Sequence, residues 1–300
     1  MHPKPDSTRV RLLHATPKHF HPASYPASAH MNSASSLRLA LLALALPAMS
    51  IAQDNTTQEN TTPVIPDAPV LPWRADASFN YSRGDYGLAD DTEVYVAATN
   101  LVYDTASWRF QAGVPFLYIK GPATVVGGGA GVGTRPPDST ESGLGDVTLS
   151  GTYKFGPLTP AEIETDFTAQ VKFPTADEDK GLGTGKTDFY LQFDVRKTYG
   201  RFTPFATVGY RILGTSAAYP LEDGLFASLG VATPVTDKTT AGVSVSWREK
   251  IVSGGDDSVD AMVFAQQTLT TRWSALVYVL AGFTDASPDF GAGTGVSYKF

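Results

Sequence analysis

Asp146-Val-Thr-Leu-Ser-Gly-Thr-Tyr-Lys-Phe155 alternates without a break: Val147, Leu149, Tyr153 and Phe155 share one parity, and Asp146, Thr148, Ser150, Thr152 and Lys154 the other. The pattern resumes after a short turn, with Thr165, Phe167, Ala169, Val171 and Phe173 against Asp166, Thr168, Gln170 and Lys172. A third copy sets Phe189, Leu191, Phe193 and Val195 against Tyr190, Gln192, Asp194 and Arg196. A period of two is a β-strand with one oily and one wet face. The wet faces carry charges of both signs, aromatics frame the oily ones, and an export signal precedes them. Together these favour an inverted arrangement, apolar outside and polar within, as in an outer-membrane barrel.

From Trp73 onward, twelve such segments of strand length follow, at about 73–81, 92–103, 107–119, 145–155, 163–174, 187–198, 202–213, 224–233, 240–251, 259–269, 272–283 and 290–300. The second, eighth, tenth and eleventh alternate less cleanly. The connections alternate in length: 82–91, 120–144, 175–186 and 214–223 are long, and 104–106, 156–162, 199–201, 234–239 and 270–271 short. Membrane barrels have short periplasmic turns and longer outer loops. The expected fold is therefore all-β, a 12-stranded antiparallel transmembrane β-barrel of the bacterial outer-membrane type, over residues 73–300.

Composition agrees. Hydrophobic residues are 42% and charged residues 18%, and no apolar run is long enough for a transmembrane helix. The block Leu37–Ala48, preceded by Met31 and followed by Ser50-Ile-Ala52, reads as a secretory signal peptide over 31–52. Residues 1–30, Pro- and His-rich, read as an extension upstream of a better start at Met31, and 53–72 as a flexible periplasmic lead-in. The expected location is the outer membrane of a Gram-negative cell.

Cleavage after Ala52 removes five basic residues (Lys4, Arg9, Arg11, Lys18, Arg38) and one acidic (Asp6), taking the formal net charge from −7 to −11. Such a surface repels nucleic acid. There is no cysteine, and all five histidines (His2, His14, His19, His21, His30) lie upstream of the cleavage site. A Ser–His mechanism cannot be assembled from what remains, so an enzyme is the least expected reading.

Aromatics gather at strand ends, as interfacial girdles require: Trp73, Tyr103, Trp108, Phe116, Phe155, Phe173, Tyr199, Phe202, Tyr210, Trp273 and Phe283. The last strand places Phe290, Ala292, Thr294, Val296, Tyr298 and Phe300 on one parity, against Gly291, Gly293, Gly295, Ser297 and Lys299. Ending on Phe300 resembles the signal read by the barrel-assembly machinery, an expected partner alongside outer-membrane lipid and lipopolysaccharide.

Two motifs mislead. Gly181-Leu-Gly-Thr-Gly-Lys-Thr187 looks like a phosphate-binding loop, but position 180 is Lys180 rather than glycine and a strand follows instead of a helix. Gly127–Gly133 reads as a mobile outer loop. The acidic pieces Asp177–Asp179, Asp90-Asp91 and Asp256-Asp257 could hold divalent cations, but solvated loop tips are the simpler reading. No metal site or cofactor is expected. The candidate lumen residues are Arg74, Asp76, Arg109, Lys154, Asp166, Lys172, Asp194, Arg196, Arg211 and Arg248. In a small barrel such charges pair into a plug and in a wider one they line a path; twelve strands permit both.

Four blocks, Gly143-Leu-Gly-Asp146-Val-Thr-Leu, Val171-Lys-Phe-Pro-Thr175, Gly181-Leu-Gly-Thr-Gly-Lys-Thr-Asp188 and Val208-Gly-Tyr-Arg211, resemble the outer-membrane barrel family named for the meta-cleavage pathway of phenol degradation. The family's PTGD-like turn reads Pro174-Thr-Ala-Asp177 here. The resemblance implies a transporter that admits small hydrophobic or aromatic compounds. The expected function is passive passage of such molecules. The alternatives are a closed barrel acting through its outer loops, chiefly 120–144, and a soluble β-sandwich or lipocalin-like carrier.

Overall fold

The computed structural model describes residues 71–126, 130–157 and 163–300, with backbone alone over 125–126 and 130–134 and at 157. The upstream extension, signal peptide and most of the lead-in lie outside the described residues.

Strands are β1 (Trp73–Gly84), β2 (Thr92–Asp104), β3 (Trp108–Lys120), β4 (Ala123–Val126), β5 (Ala130–Thr134), β6 (Thr140–Leu144), β7 (Thr148–Pro157), β8 (Glu164–Lys172), β9 (Asp188–Arg196), β10 (Thr203–Ile212), β11 (Gly224–Pro234), β12 (Thr239–Arg248), β13 (Ser258–Thr268), β14 (Trp273–Gly282) and β15 (Phe290–Lys299). Each barrel strand pairs antiparallel with its neighbours, and β1 pairs with β15 from Arg74↔Lys299 to Arg83↔Phe290. With β6 and β7 forming one interrupted stave, twelve staves close on themselves.

The segment 120–144, expected to be one long loop, is more structured than that. β4 and β5 make a small separate hairpin, and β6 pairs with the upper end of β3 from Phe116↔Leu144 to Lys120↔Thr140. Residues 127–129 of the glycine run lie outside the described residues. The fourth stave breaks at Gly145-Asp146-Val147, opposite Val114 and Pro115, where proline offers no N–H to the ladder. Gly145 N donates to the Pro115 carbonyl at 2.9 Å and holds the break together.

Sidedness follows from burial. β9 alternates strictly: Asp188, Tyr190, Gln192, Asp194 and Arg196 are buried, and Phe189, Leu191, Phe193 and Val195 exposed. In a sheet closed on itself the buried parity faces the axis. Outward residues such as Leu229 (65% exposed), Val263 (55%) and Val277 (54%) are covered by no second layer. A continuous apolar exterior of this kind is stable only against lipid.

Two aromatic belts bound it. At the short-turn end Trp73 meets Tyr103 at 4.8 Å, Trp108 meets Tyr153 at 4.9 Å and Trp273 meets Tyr298 at 4.7 Å. At the long-loop end Tyr81, Tyr95 and Tyr118 stand in a row on β1, β2 and β3, 4.9 and 5.6 Å apart. These three tyrosines were not among the expected girdle residues, whereas Phe116, Phe173, Tyr210 and Phe283, which were, are exposed toward the same end.

Candidate functional site

The ten charges singled out in the sequence all fall on the inward parity of their strands. Arg74, Arg109, Asp166, Lys172, Asp194, Arg196, Arg211 and Arg248 are buried, and Asp76 and Lys154 half-buried. Near the short-turn end, Arg74 Nε lies 2.9 Å from Asp76 Oδ1. Asp104 holds both Arg109, at 2.8 Å, and Lys154. Arg196 on β9 reaches two carboxylates of β8, Glu164 at 2.8 Å and Asp166 at 2.9 Å. Asp194 accepts bonds from Gln192 and, at 2.6 Å, from the Thr207 hydroxyl on β10. These pairings run along the wall, within one strand or between strands one or two apart. They fix the inward side chains against the staves that carry them, because removing one partner of a buried pair strands the other.

At the long-loop end, Lys172 (1% exposed) sits between Asp146 at 2.9 Å and Asp188 at 2.8 Å. These three residues come from three of the four sequence blocks quoted above, so the blocks converge on one buried ion cluster. It gathers the loops as well. Asp146 accepts from Ala176 N and Asp188 from Gly214 N, both at 2.8 Å, and Lys172 donates to the Thr184 hydroxyl at 3.3 Å. The phosphate-loop look-alike has another use here. Gly183 leaves room for the Asp146 carboxylate, since a Cβ there would stand 2.8 Å from Oδ2. Gly181 and Gly185 take φ values of 66° and 63°, and the turn carries Leu182 into the barrel mouth.

There Leu182 joins an apolar cluster with Val94, Val96 and Ala98 of β2, Leu117 and Ile119 of β3, Ala123, and Tyr86. Tyr86 holds φ at 52°, a left-handed conformation that a tyrosine adopts at some cost, and burial raises its hydroxyl pKa. The ring is retained inside by its packing.

A second apolar stretch of the inner wall crosses β10 to β14. Phe205, Phe226, Met262, Phe264, Leu276, Tyr278 and Leu280 are all buried on the inward parity. The aromatic rings lie on glycines of the next strand: Phe205 over Gly230, Phe226 over Gly209, Phe264 over Gly242 and Tyr278 over Gly293. None of these glycines has a positive φ, so the small residue is needed for space rather than for backbone conformation. Tyr278 reaches across β15, its hydroxyl donating to Asn80 Oδ1 at 2.8 Å.

These inward apolar residues explain the four irregular segments. The second, eighth, tenth and eleventh are β2, β11, β13 and β14, where both parities are apolar, so alternation fades although the strands are regular. The carboxylates Asp104, Glu164, Asp146, Asp188 and Asp260 were also not singled out. Each occupies the inward parity or the stave break, close to a strand end, and that position opposite an inward cation is the signal that would find them. Among the described residues no group of acidic or histidine side chains is arranged to hold a metal ion. The acidic loop residues are engaged locally instead: Asp91 pairs with Arg83, Asp177 with Lys180, and Asp257 accepts from Trp247 Nε1.

The family model described as the MetA-pathway of phenol degradation matches residues 72–300. No curated protein matches the chain. Among solved structures, an outer-membrane channel from Pseudomonas putida F1 is similar at 16% identity and a TM-score of 0.61, covering 78% of this chain and 97% of that one. The NanC porin is similar at 9% identity and a TM-score of 0.52, covering 75% and 100%. At these identities the likeness is one of fold.

Proposed function

The chain belongs to the family of the MetA-pathway of phenol degradation, and from that premise we propose that it is an outer-membrane channel for passive passage of small molecules with apolar or aromatic bodies. The carrying observation is the inner wall of β10 to β14, where Phe205, Phe226, Phe264 and Tyr278 present rings on the inward parity. Rings on the inward side favour a solute with an apolar or aromatic body, which gains by leaving water for an apolar wall. In this reading the paired charges of β1 to β9 form the opposite, polar side of the path. The barrel works without catalysis, and Phe300 marks it for the assembly machinery.

Purified full-length protein in planar bilayers tests this. We expect an ion current that added phenol interrupts in a concentration-dependent way and glucose leaves alone. Absence of both current and block overturns the proposal.

A second reading, a closed barrel acting through its outer loops, is favoured by one observation. Leu182 and Tyr86 pack against Val94, Val96, Leu117 and Ile119 at the long-loop end of the lumen. That reading expects no current from the intact protein even after Leu182 is truncated.

A further inference from the structure

Three consecutive short turns join β9 to β10, β11 to β12 and β13 to β14, and each sets a cation beside an exposed apolar side chain. The first holds Lys197 and Arg201 with Tyr199 and Phe202, the second Lys238 with Val235, and the third Arg272 with Leu269. Lys197 Nζ lies over the Tyr199 ring, 4.5 Å from its centre. The turns stand side by side: Arg201 Nη2 donates to the Pro234 carbonyl at 3.2 Å, and Thr268 N to the Lys238 carbonyl at 2.8 Å. Among the described residues none of the four cations pairs with a carboxylate, and Asp237 is the one acid in these turns. The rest of the short-turn rim is different. Neither 105–107, between β2 and β3, nor 156–164, between β7 and β8, contains a lysine or arginine. Arg109 and Lys154, which flank these turns in sequence, are on the inward parity and held by Asp104. The outward-facing positive charge of this end is therefore gathered under β9 to β14.

We propose that this half of the rim is a binding surface for anionic phospholipid of the inner leaflet, with a headgroup of phosphatidylglycerol type. The short-turn end of an outer-membrane barrel is the periplasmic one, so these side chains sit at headgroup depth. Basic side chains there attract anionic headgroups, while the apolar residues beside them enter the upper acyl region. Continuity favours a lipid over a protein or a free phosphate. Trp273 follows Arg272 directly on the outward parity of β14, where it meets Tyr298, so the cations border the lipid-facing exterior without a gap. The surface stands whether or not the barrel conducts.

Two tryptophans report on it: Trp273 on the cationic side, and Trp108 beside the cation-free turn. Full-length chains that keep one of them, with the other tryptophans changed to phenylalanine, are reconstituted into phosphatidylcholine vesicles carrying brominated phosphatidylglycerol or brominated phosphatidylcholine. Half-quenching of Trp273 should need about fivefold less of the phosphatidylglycerol, the gain from one basic side chain at a membrane surface. High salt should shrink that difference, and Trp108 should show none. Lys197→Gln, Arg201→Gln, Lys238→Gln and Arg272→Gln together should abolish the preference; all four lie in turns, where such changes cost the fold little. Native mass spectrometry of the unaltered chain keeps the proposal falsifiable if that variant folds poorly, since phosphatidylglycerol should stay bound under activation that strips phosphatidylcholine. Equal quenching of Trp273 by the two lipids, equal preference at Trp108, a preference that outlives the four substitutions, or equal loss of both lipids in the mass spectrometer each overturns the proposal. A rim made instead for an acidic protein or for the peptidoglycan mesh gives the first of these outcomes.

Discussion

Gly230 of β11 stands opposite Phe205 of β10, and the phenyl ring occupies the volume that a Cβ on Gly230 would need. The same relation recurs at Gly209 with Phe226, Gly242 with Phe264 and Gly293 with Tyr278, so four rings lie flat on the inner wall instead of standing into the lumen. Gly230→Ala should drive Phe205 off the wall. The expected outcome is a cost of about 1–3 kcal/mol in unfolding free energy and a reduced bilayer current. Adding Phe205→Leu to Gly230→Ala should restore the current. An unchanged current in the single variant would mean that the rings do not set the bore.

Lys172 is the only cation that either Asp146 or Asp188 is seen to pair with among the described residues. Lys172→Met leaves two buried carboxylates facing each other, and should cost about 3–5 kcal/mol, measured as the urea midpoint of heat-modifiable mobility in vesicles. Replacing both aspartates by asparagine in the Lys172→Met background should recover a large part of that loss. A cost below about 1 kcal/mol for the single change would show that water already reaches the cluster.

Leu182→Ser withdraws the apolar tip of the 173–187 connection from the cluster at the barrel mouth. If the channel reading holds, single-channel conductance rises while the barrel stays folded, as judged by mobility of the unheated protein. Identical conductance would place the constriction elsewhere along the lumen.

Leu229 points outward near the middle of β11, and its neighbour Ser228 points inward. Leu229→Arg should cost about 2–4 kcal/mol, the penalty for arginine on the lipid face at mid-membrane. An arginine in place of Ser253, exposed in the loop after β12, should cost almost nothing. Similar stabilities for the two would contradict the assigned sidedness.

Much of this architecture was legible in the sequence, for a physical reason. A pleated strand with unlike solvents on its two faces writes a period of two into the residues, as in 188–196, and paired turn lengths write the direction of travel. The expected strand ends differ from the observed ones by only a few residues. What escaped was whatever lacks that contrast. β2, β11, β13 and β14 carry apolar residues on both faces, so Val94, Phe226, Phe264 and Tyr278 could not be assigned a side by alternation. β6, within a Ser- and Gly-containing stretch, becomes a strand only because the upper end of β3 offers it a partner. Lys172 was recognised as inward, but Asp146 and Asp188 come to it from other staves, and no local pattern encodes that meeting.

The seam between Arg74 and Lys299 has a consequence for how the molecule comes into being. β1 has its final partner only when β15, Phe290–Lys299, docks beside it. Until then two rows of amide and carbonyl groups have no partner, and the closing contact joins the first and last strands of the barrel. Completion is therefore a single late event that no earlier segment can stand in for. A lesion in Phe290–Lys299 would act on biogenesis, leaving fewer finished molecules rather than a weakened population of normal number.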